Sequence, residues 1–175
     1  DAASYRAWQC TLGYVPQTIF LGDGTVAENI AFGRTGDEVD MVAVESAAKA
    51  AALHDFVLNE LPLGYDTPVG ERGTRLSGGQ RQRVGIARAL YTNPSTLIFD
   101  EATSALDTLT ETAVIEAVRN LSNQKTVIMI AHRLSTIRDC DQIFLMEKGQ
   151  VAATGTFDEL LEKSEQFRLM AAGVN

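Results

Sequence analysis

Residues 76–83 constrain the fold of this chain more than any other stretch. They read Leu-Ser-Gly-Gly-Gln-Arg-Gln-Arg, and Ser77 followed three residues later by Gln80 forms a capping box, a pattern that opens an α-helix. Gly78 and Gly79 would leave the first backbone N–H groups of that helix uncovered. These donors, together with the positive end of the helix dipole, suit a phosphate group. Taken alone, however, Ser-Gly-Gly is more typical of an ordinary helix cap.

The sequence after this helix start favours the phosphate interpretation. Apolar residues recur on one helical face as far as Tyr91, and the helix ends before Pro94. The apolar run at 97–99 is short and bounded by turn formers, which predicts a strand buried on both faces of a parallel sheet. Asp100 and Glu101 follow it, and ligands of open α/β sheets bind beyond the carboxyl ends of the strands. Together these features predict a nucleotide site rather than a solvated turn.

The rest of the chain alternates strands and helices, which predicts an α/β fold. Strands are expected at 11–15, 97–99 and 126–130, helices at 26–32, 39–53, 54–61, 77–91 and 114–121, and a hairpin at 141–147 and 150–153 precedes a helix at 157–170. Thr25 with Glu28 is a second capping-box pattern, and Thr156 is expected to cap the C-terminal helix. The strand at 126–130 is expected to be buried and to follow 97–99 through a right-handed crossover.

Composition narrows the possible functions. The 175 residues fit one domain, and 45% hydrophobic residues can form a substantial core. A net charge of -8 argues against a nucleic-acid partner, which would require a basic patch. No apolar run approaches the roughly 20 residues of a membrane helix, and no signal-peptide pattern opens the chain. Cys10 and Cys140 lack metal-type spacing, so we expect reduced, partly buried thiols in a cytoplasmic setting.

Five motifs together resemble those of the nucleotide-binding domain of ABC transporters. Residues 76–80 resemble the ABC signature, 97–101 a Walker B strand with its catalytic glutamate, and 104–107 the D-loop. Gln17, in Tyr-Val-Pro-Gln, resembles the Q-loop glutamine, and His132, in Ile-Ala-His-Arg, the switch histidine. The motifs stand in the order and spacing of the family over the whole chain.

The resemblance implies a partial P-loop NTPase (RecA-like) core with a mostly parallel sheet and an inserted α-helical ABC subdomain. Residues 1–24 would form the Q-loop strand and loop, 25–93 the helical subdomain with X-loop and signature, and 94–175 the core with Walker B, D-loop, H-loop and C-terminal hairpin and helices. The X-loop resemblance rests on Gly-Glu-Arg-Gly at 70–73, otherwise a charged glycine turn. Together with the tail after His132, it resembles exporters, and the whole segment is also similar to exporters that flip lipid-linked saccharides.

The resemblance also implies roles in hydrolysing ATP. Asp100 would hold Mg²⁺, and Gln17 would contact the metal or the water and report nucleotide occupancy to the helical subdomain. Glu101 would polarise the attacking water, and His132 would hydrogen-bond the γ-phosphate. His54 has no motif around it and is expected to be an ordinary structural side chain.

Further implied roles require partners. In a head-to-tail dimer of nucleotide-binding domains, the signature of one chain would contact the ATP held by the other through Ser77, Gly78, Gly79 and Gln80. Asp107 would couple the two sites. Glu71 and Arg72 would contribute to coupling with the transmembrane domain of the same transporter. This arrangement would place the chain at the cytoplasmic face of a membrane.

One motif of the family is missing. The P-loop, Gly-x-x-x-x-Gly-Lys-Ser/Thr, does not occur in the 175 residues, and the chain begins at Asp1 without a methionine. We therefore expect the C-terminal portion of a longer exporter, with the P-loop upstream. Alone, it should bind ATP weakly, hydrolyse little and self-associate through uncovered sheet edges. Two alternatives are a soluble ABC ATPase of the DNA-repair or translation-factor type and a truncated, non-catalytic interaction module.

Overall fold

A computed structural model of the chain describes residues 2–102, 108, 111–112, 114–116, 125–131 and 133–173. The chain divides into two compact units, Asp1–Ile130 and Ala131–Asn175. Each unit combines helices with strands, in agreement with the predicted α/β class.

The first unit contains a three-stranded parallel sheet. Its strands are β1 (Leu12–Val15), β2 (Thr96–Asp100) and β3 (Thr126–Ile130), in the order β1-β2-β3. Tyr14 lies opposite Ile98 across the first pair of strands. The three predicted strands are therefore confirmed, and their carboxyl ends lie at the same edge of the sheet.

The predicted burial of β2 and β3 is wrong in part. In β2, Leu97 and Phe99 are buried whereas Ile98 is only half-buried. In β3, Ile128 and Ile130 are 49% and 53% exposed. The exposed positions alternate because successive side chains of a strand point to opposite faces. A run of apolar residues did not reveal that only one face is packed against the core.

In the described part of the first unit, five α-helices with defined ends accompany the sheet. They are α1 (Ala2–Gln9), α2 (Val26–Ile30), α3 (Met41–Ala50), α4 (His54–Glu60) and α5 (Gly78–Tyr91), with short 3-10 helices at Gly36–Glu38, Gly64–Asp66 and Glu71–Gly73. Helix α1 was not predicted. Residues 108, 111–112 and 114–116 are also helical, whereas the end of the helix predicted at 114–121 lies outside the described residues.

Helix α3 is shorter than the helix predicted at 39–53. Asp40 is its N-cap, because one carboxylate oxygen accepts hydrogen bonds from the backbone N–H groups of Val42 and Ala43. At the other end, Ala52 adopts φ 52°, in the left-handed region, which ends the helix before α4. The predicted pair of helices is confirmed, with tighter boundaries.

Helix α5 packs into the core of the first unit. Val84, Ile86 and Ala87 are fully buried, as are Val15 of β1 and Leu97 of β2. Burial of such side chains contributes about 1.5–3 kcal/mol each for the larger ones, so this packing fixes α5 against the sheet. The start of α5 is thereby held at a defined place relative to the strands.

The second unit contains the predicted antiparallel hairpin, β4 (Ile143–Glu147) and β5 (Gln150–Gly155). Lys148 and Gly149 form its tight turn with φ of 49° and 79°. A short helix, α6 (Leu134–Ile137), precedes the hairpin. Two positive φ values are what a two-residue hairpin turn of the commonest type requires.

The C-terminal helix predicted at 157–170 is two helices, α7 (Phe157–Lys163) and α8 (Glu165–Ala172). Ser164 is extended between them, with φ −116° and ψ 113°, and its hydroxyl accepts a hydrogen bond from the N–H of Phe167. The serine thus stops one helix and caps the next. Thr156 caps α7 as predicted, and it forms a capping box with Glu159.

Two expectations from composition are also tested. The thiol of Cys10 is exposed and that of Cys140 half-buried, so the expectation of partial burial is wrong for Cys10. No helix of the described ranges is both long and apolar enough to cross a membrane.

Candidate functional site at the carboxyl edge of the sheet

Polar side chains follow β1 and β2 where these strands end. Because the strands are parallel, Val15, Asp100 and Ile130 approach the same edge of the sheet. The backbone N–H of Glu101 donates to the carbonyl of Ile130 at 3.0 Å, which carries the pairing of β2 and β3 one residue beyond Asp100. The acidic pair therefore lies where open α/β folds bind their ligands.

Gln17 and Glu101 meet at this edge. The side-chain amide of Gln17 donates a hydrogen bond from Nε2 to Oε2 of Glu101. Glu101 adopts φ 50°, a left-handed conformation that costs a non-glycine residue about 1–3 kcal/mol and clusters at functional sites. Two residues 84 positions apart in sequence are thus in direct contact, as expected for members of one site.

Asp100 has a partner that the sequence did not predict. The hydroxyl of Tyr14 donates to Oδ2 of Asp100 at 2.9 Å. This hydrogen bond, aided by the negative charge of Asp100, raises the pKa of Tyr14. Tyr14 lies opposite Ile98, and Asp100 is two residues further on the same face, so the contact depends on the register of β1 and β2. In the sequence, the hydroxyl group of a tyrosine in an otherwise apolar strand is the one sign that this strand has a polar partner.

The start of α5 has the predicted geometry. The N–H of Ser77 donates to Oε1 of Gln80 at 2.8 Å, and the N–H of Gln80 donates to the hydroxyl of Ser77 at 3.2 Å. A Cβ added to Gly78 would meet only the guanidinium of Arg81, at 4.0 Å. The first turn of α5 is therefore capped by its own side chains and open at its first glycine.

The other predicted residues are placed as follows. Glu71 and Arg72 are exposed in the 3-10 helix Glu71–Gly73, where Arg72 adopts φ 52°. Asp107 and His132 lie outside the described residues. His54, for which no role in the site was predicted, has its Nδ1 2.8 Å from the hydroxyl of Tyr65.

The parallel sheet, the acidic carboxyl edge and the inserted helices define a partial P-loop NTPase (RecA-like) fold. The chain belongs to the ABC transporter family, because the family model described as ABC transporter matches residues 1–104. This confirms the resemblance on which the site residues were predicted.

Relatives of the chain include an exporter and a flippase. The chain is 48% identical over 164 residues to an ATM1-type heavy metal exporter of Novosphingobium aromaticivorans, covering 94% of this chain and 26% of that protein. It is 49% identical over 148 residues to an ATP-dependent lipid A-core flippase of Saccharophagus degradans, covering 85% of this chain and 25% of that protein. The chain thus spans about a quarter of the length of these relatives.

A solved structure agrees with this assignment. The structure of a bacterial Atm1-family ABC exporter with ATP bound superposes with a TM-score of 0.88 at 46% identity. The matched region covers 96% of this chain and 29% of the exporter chain. The fold is therefore that of the nucleotide-binding domain of an ABC exporter.

Proposed function

We propose that this chain belongs to an ATP-hydrolysing domain that powers an ABC exporter. It would contribute the hydrolytic residues at the carboxyl edge of the sheet and the signature residues at the start of α5. The observation that supports this most directly is the convergence of Gln17, Asp100 and Glu101 at the carboxyl edge of the parallel sheet. A carboxylate pair at this place suits phosphoryl transfer to water, which requires charge neutralisation and a positioned nucleophile. The likeness to a structure with ATP bound agrees with ATP as the nucleotide.

The donor set at this edge fits Mg²⁺. In the described ranges, no cluster of three or more His, Cys, Asp or Glu is placed to hold a metal ion. Mg²⁺ in nucleotide sites, however, is bound by one or two carboxylates, and substrate phosphates and waters complete its shell. Asp100 would hold the ion, with the amide oxygen of Gln17 nearby. When bound, Mg²⁺ would neutralise charge on the phosphates.

Glu101 is the proposed general base. Its carboxylate already accepts one hydrogen bond, from Gln17, and Glu101 is only half-buried, so water can reach it. A carboxylate so placed can orient a water molecule and accept its proton. His132 is proposed to donate a hydrogen bond to the terminal phosphate.

A second nucleotide-binding domain would complete the site. In each chain the uncovered N–H groups at the start of α5 would contact the nucleotide held by the other, because helix N-termini favour anions. The proposed contacts are Ser77, Gly78, Gly79 and Gln80, with Asp107 coupling the two sites. The open space around Gly78 leaves room for a phosphate there.

The transmembrane domain of the same transporter is the other proposed partner. Phe20 and Phe32 are 62% and 61% exposed, and the guanidinium of Arg88 lies 4.5 Å from the ring centre of Phe32. Exposed aromatic residues around an arginine are typical of protein interfaces. Glu71 and Arg72 would help to couple nucleotide hydrolysis to this partner. The domain would then lie at the cytoplasmic face of the membrane.

The proposal is tested by Glu101→Gln in the protein expressed with its natural flanking sequences. Loss of the general base should lower kcat for ATP about 10²- to 10⁴-fold and leave ATP binding nearly unchanged. Glu60→Gln, at an exposed position of α4, is the matched control and should behave as wild type. Wild-type turnover by Glu101→Gln would refute the role of Glu101.

The 175 residues alone should bind Mg-ATP weakly and hydrolyse it little, because they include no P-loop motif to cradle the β- and γ-phosphates. Titration calorimetry with Mg-ATP measures the affinity, and phosphate release measures turnover. Micromolar affinity with steady turnover by these residues would contradict this expectation.

A further inference from the structure

The segment that follows Gln17 lies against α5. A Cβ added to Gly85 would lie 2.3 Å from Cδ1 of Ile19, so the helix accommodates Ile19 only because it has a glycine there. A Cβ added to Gly73, just before α5, would likewise lie 2.7 Å from Cδ1 of Leu21. Two apolar side chains of residues 19–22 are therefore in close contact with α5 and the turn before it.

Arg88 of α5 adds polar contacts to the same segment. Its Nη1 donates to the carbonyl of Phe20 at 2.8 Å, and its Nε donates to the carbonyl of Asn29 at 2.8 Å. Its Nη2 lies 3.3 Å from Oδ1 of Asn29, completing a fork of three hydrogen bonds. One guanidinium thus joins α5 to residues 19–22 and to α2.

Asn29 extends this network. It is 3% exposed, and its Nδ2 donates to the carbonyls of Gly22 at 3.1 Å and Thr25 at 3.0 Å. Its Oδ1 accepts from the N–H of Gly22 at 2.9 Å. The buried amide therefore fixes Gly22 relative to α2, and Arg88 fixes both relative to α5.

We propose that Arg88 is a positioning residue for the Gln17 site. Arg88 joins residues 19–22, α2 and α5 into one rigid body. The backbone next to Gln17 can then bend only at residues 16–18, between the end of β1 and the contact of Ile19 with α5. A displacement of Gln17 is then carried to the capped start of α5 rather than absorbed by the intervening loop. This inference rests on the proposed function for the role of Gln17 in nucleotide hydrolysis.

The amide proton of Gly22 reports on this body, because among the described residues it is donated to Asn29 Oδ1. Its exchange with deuterium is measured by NMR without nucleotide, relative to the amide of Ile86 in the middle of α5. Arg88→Ala should raise the exchange rate of Gly22 relative to that of Ile86 at least about tenfold, the factor expected for one lost charge-assisted hydrogen bond. Arg88→Lys, which keeps one donor, should recover part of the difference.

Arg83→Ala is the matched control. Arg83 lies on the same helix, and its Nη1 donates to the carbonyl of Ala52 at 2.8 Å, away from residues 19–22. It should leave the ratio of Gly22 to Ile86 exchange unchanged. The side-chain amide signal of Gln17 is a second readout, which should broaden in Arg88→Ala but not in Arg83→Ala.

Equal acceleration of Gly22 and Ile86 in Arg88→Ala, or none at Gly22, would overturn the proposal, because Arg88 would then stabilise the fold only generally. An unaltered Gln17 signal in Arg88→Ala would also overturn it. Since nucleotide is absent from these measurements, a failure of the Glu101→Gln test would refute the proposed function without changing their outcome.

Discussion

At Gly13, β1 lies close to α5 and to the turn that follows this helix. A Cβ at this position would lie 2.6 Å from the carbonyl oxygen of Ala89, 2.8 Å from Cδ2 of Leu97 and 2.8 Å from Cγ of Pro94. All three distances are shorter than van der Waals contact, and the nearest atom belongs to the backbone. Gly13→Ala should therefore force α5 away from the sheet.

The expected cost follows from two opposing terms. Overpacking of a dense core costs about 1–3 kcal/mol. Replacing glycine by alanine restricts the unfolded chain and returns about 0.4–1 kcal/mol. The net loss should be about 1–2 kcal/mol, which lowers the urea midpoint by about 0.5–1 M for a slope near 2 kcal/mol per M.

Equilibrium urea unfolding followed by circular dichroism measures this loss. Gly22→Ala is the matched control, since a Cβ there would meet only Oδ1 of Asn29, at 4.0 Å, and the backbone is not left-handed. The control lacks this clash and should equal wild type or be more stable by about 0.4–1 kcal/mol. A Gly13→Ala midpoint and slope equal to those of the control would refute the close approach.

Three further predictions concern stability and association. Ser77→Ala removes the cap of α5 and should cost about 0.5–2 kcal/mol in urea unfolding, and an unchanged midpoint would show that the cap contributes nothing. Burial, aided by nearby negative charge, raises the pKa of Tyr65 to about 12. Its neutral phenol should therefore stabilise the fold fully below about pH 10 and lose that contribution as the pH rises towards 12. Melting temperatures should fall less steeply over this range in Tyr65→Phe, and equal slopes would contradict the assignment. Because Ile128 and Ile130 are exposed, the 175 residues should self-associate, and the mass measured by light scattering should rise with concentration. A monodisperse monomer would contradict this.

Local patterns in the sequence predicted local structure well. The predicted capping boxes at Ser77 and Thr25 and the predicted cap at Thr156 are all present, because each joins a side chain to a backbone group three residues away. The three strands and the hairpin followed from apolar runs and turn residues. The roles predicted for Asp100 and Glu101 remain predictions, although the position of both residues at the sheet edge followed from the same local pattern.

Features that depend on distant parts of the chain could not be predicted. The hydrogen bond of Tyr14 to Asp100 requires the register of two strands that are far apart in sequence. The exposure of Ile128 depends on which face of β3 is packed, and an apolar residue reads the same on either face. Ser164 was missed as a break because serine has only a moderately lower helix propensity than its neighbours.

The left-handed backbone of Glu101 limits which replacements are informative at this position. Asparagine and glycine adopt such a conformation readily, whereas β-branched residues resist it. A change such as Glu101→Val would remove the carboxylate and bend the end of β2 at once, so a kinetic defect would mix chemistry with geometry. Comparing Glu101→Asn with Glu101→Gly separates the loss of the carboxylate from a change of backbone geometry. The tight bend itself restricts the residue types that this position can accept.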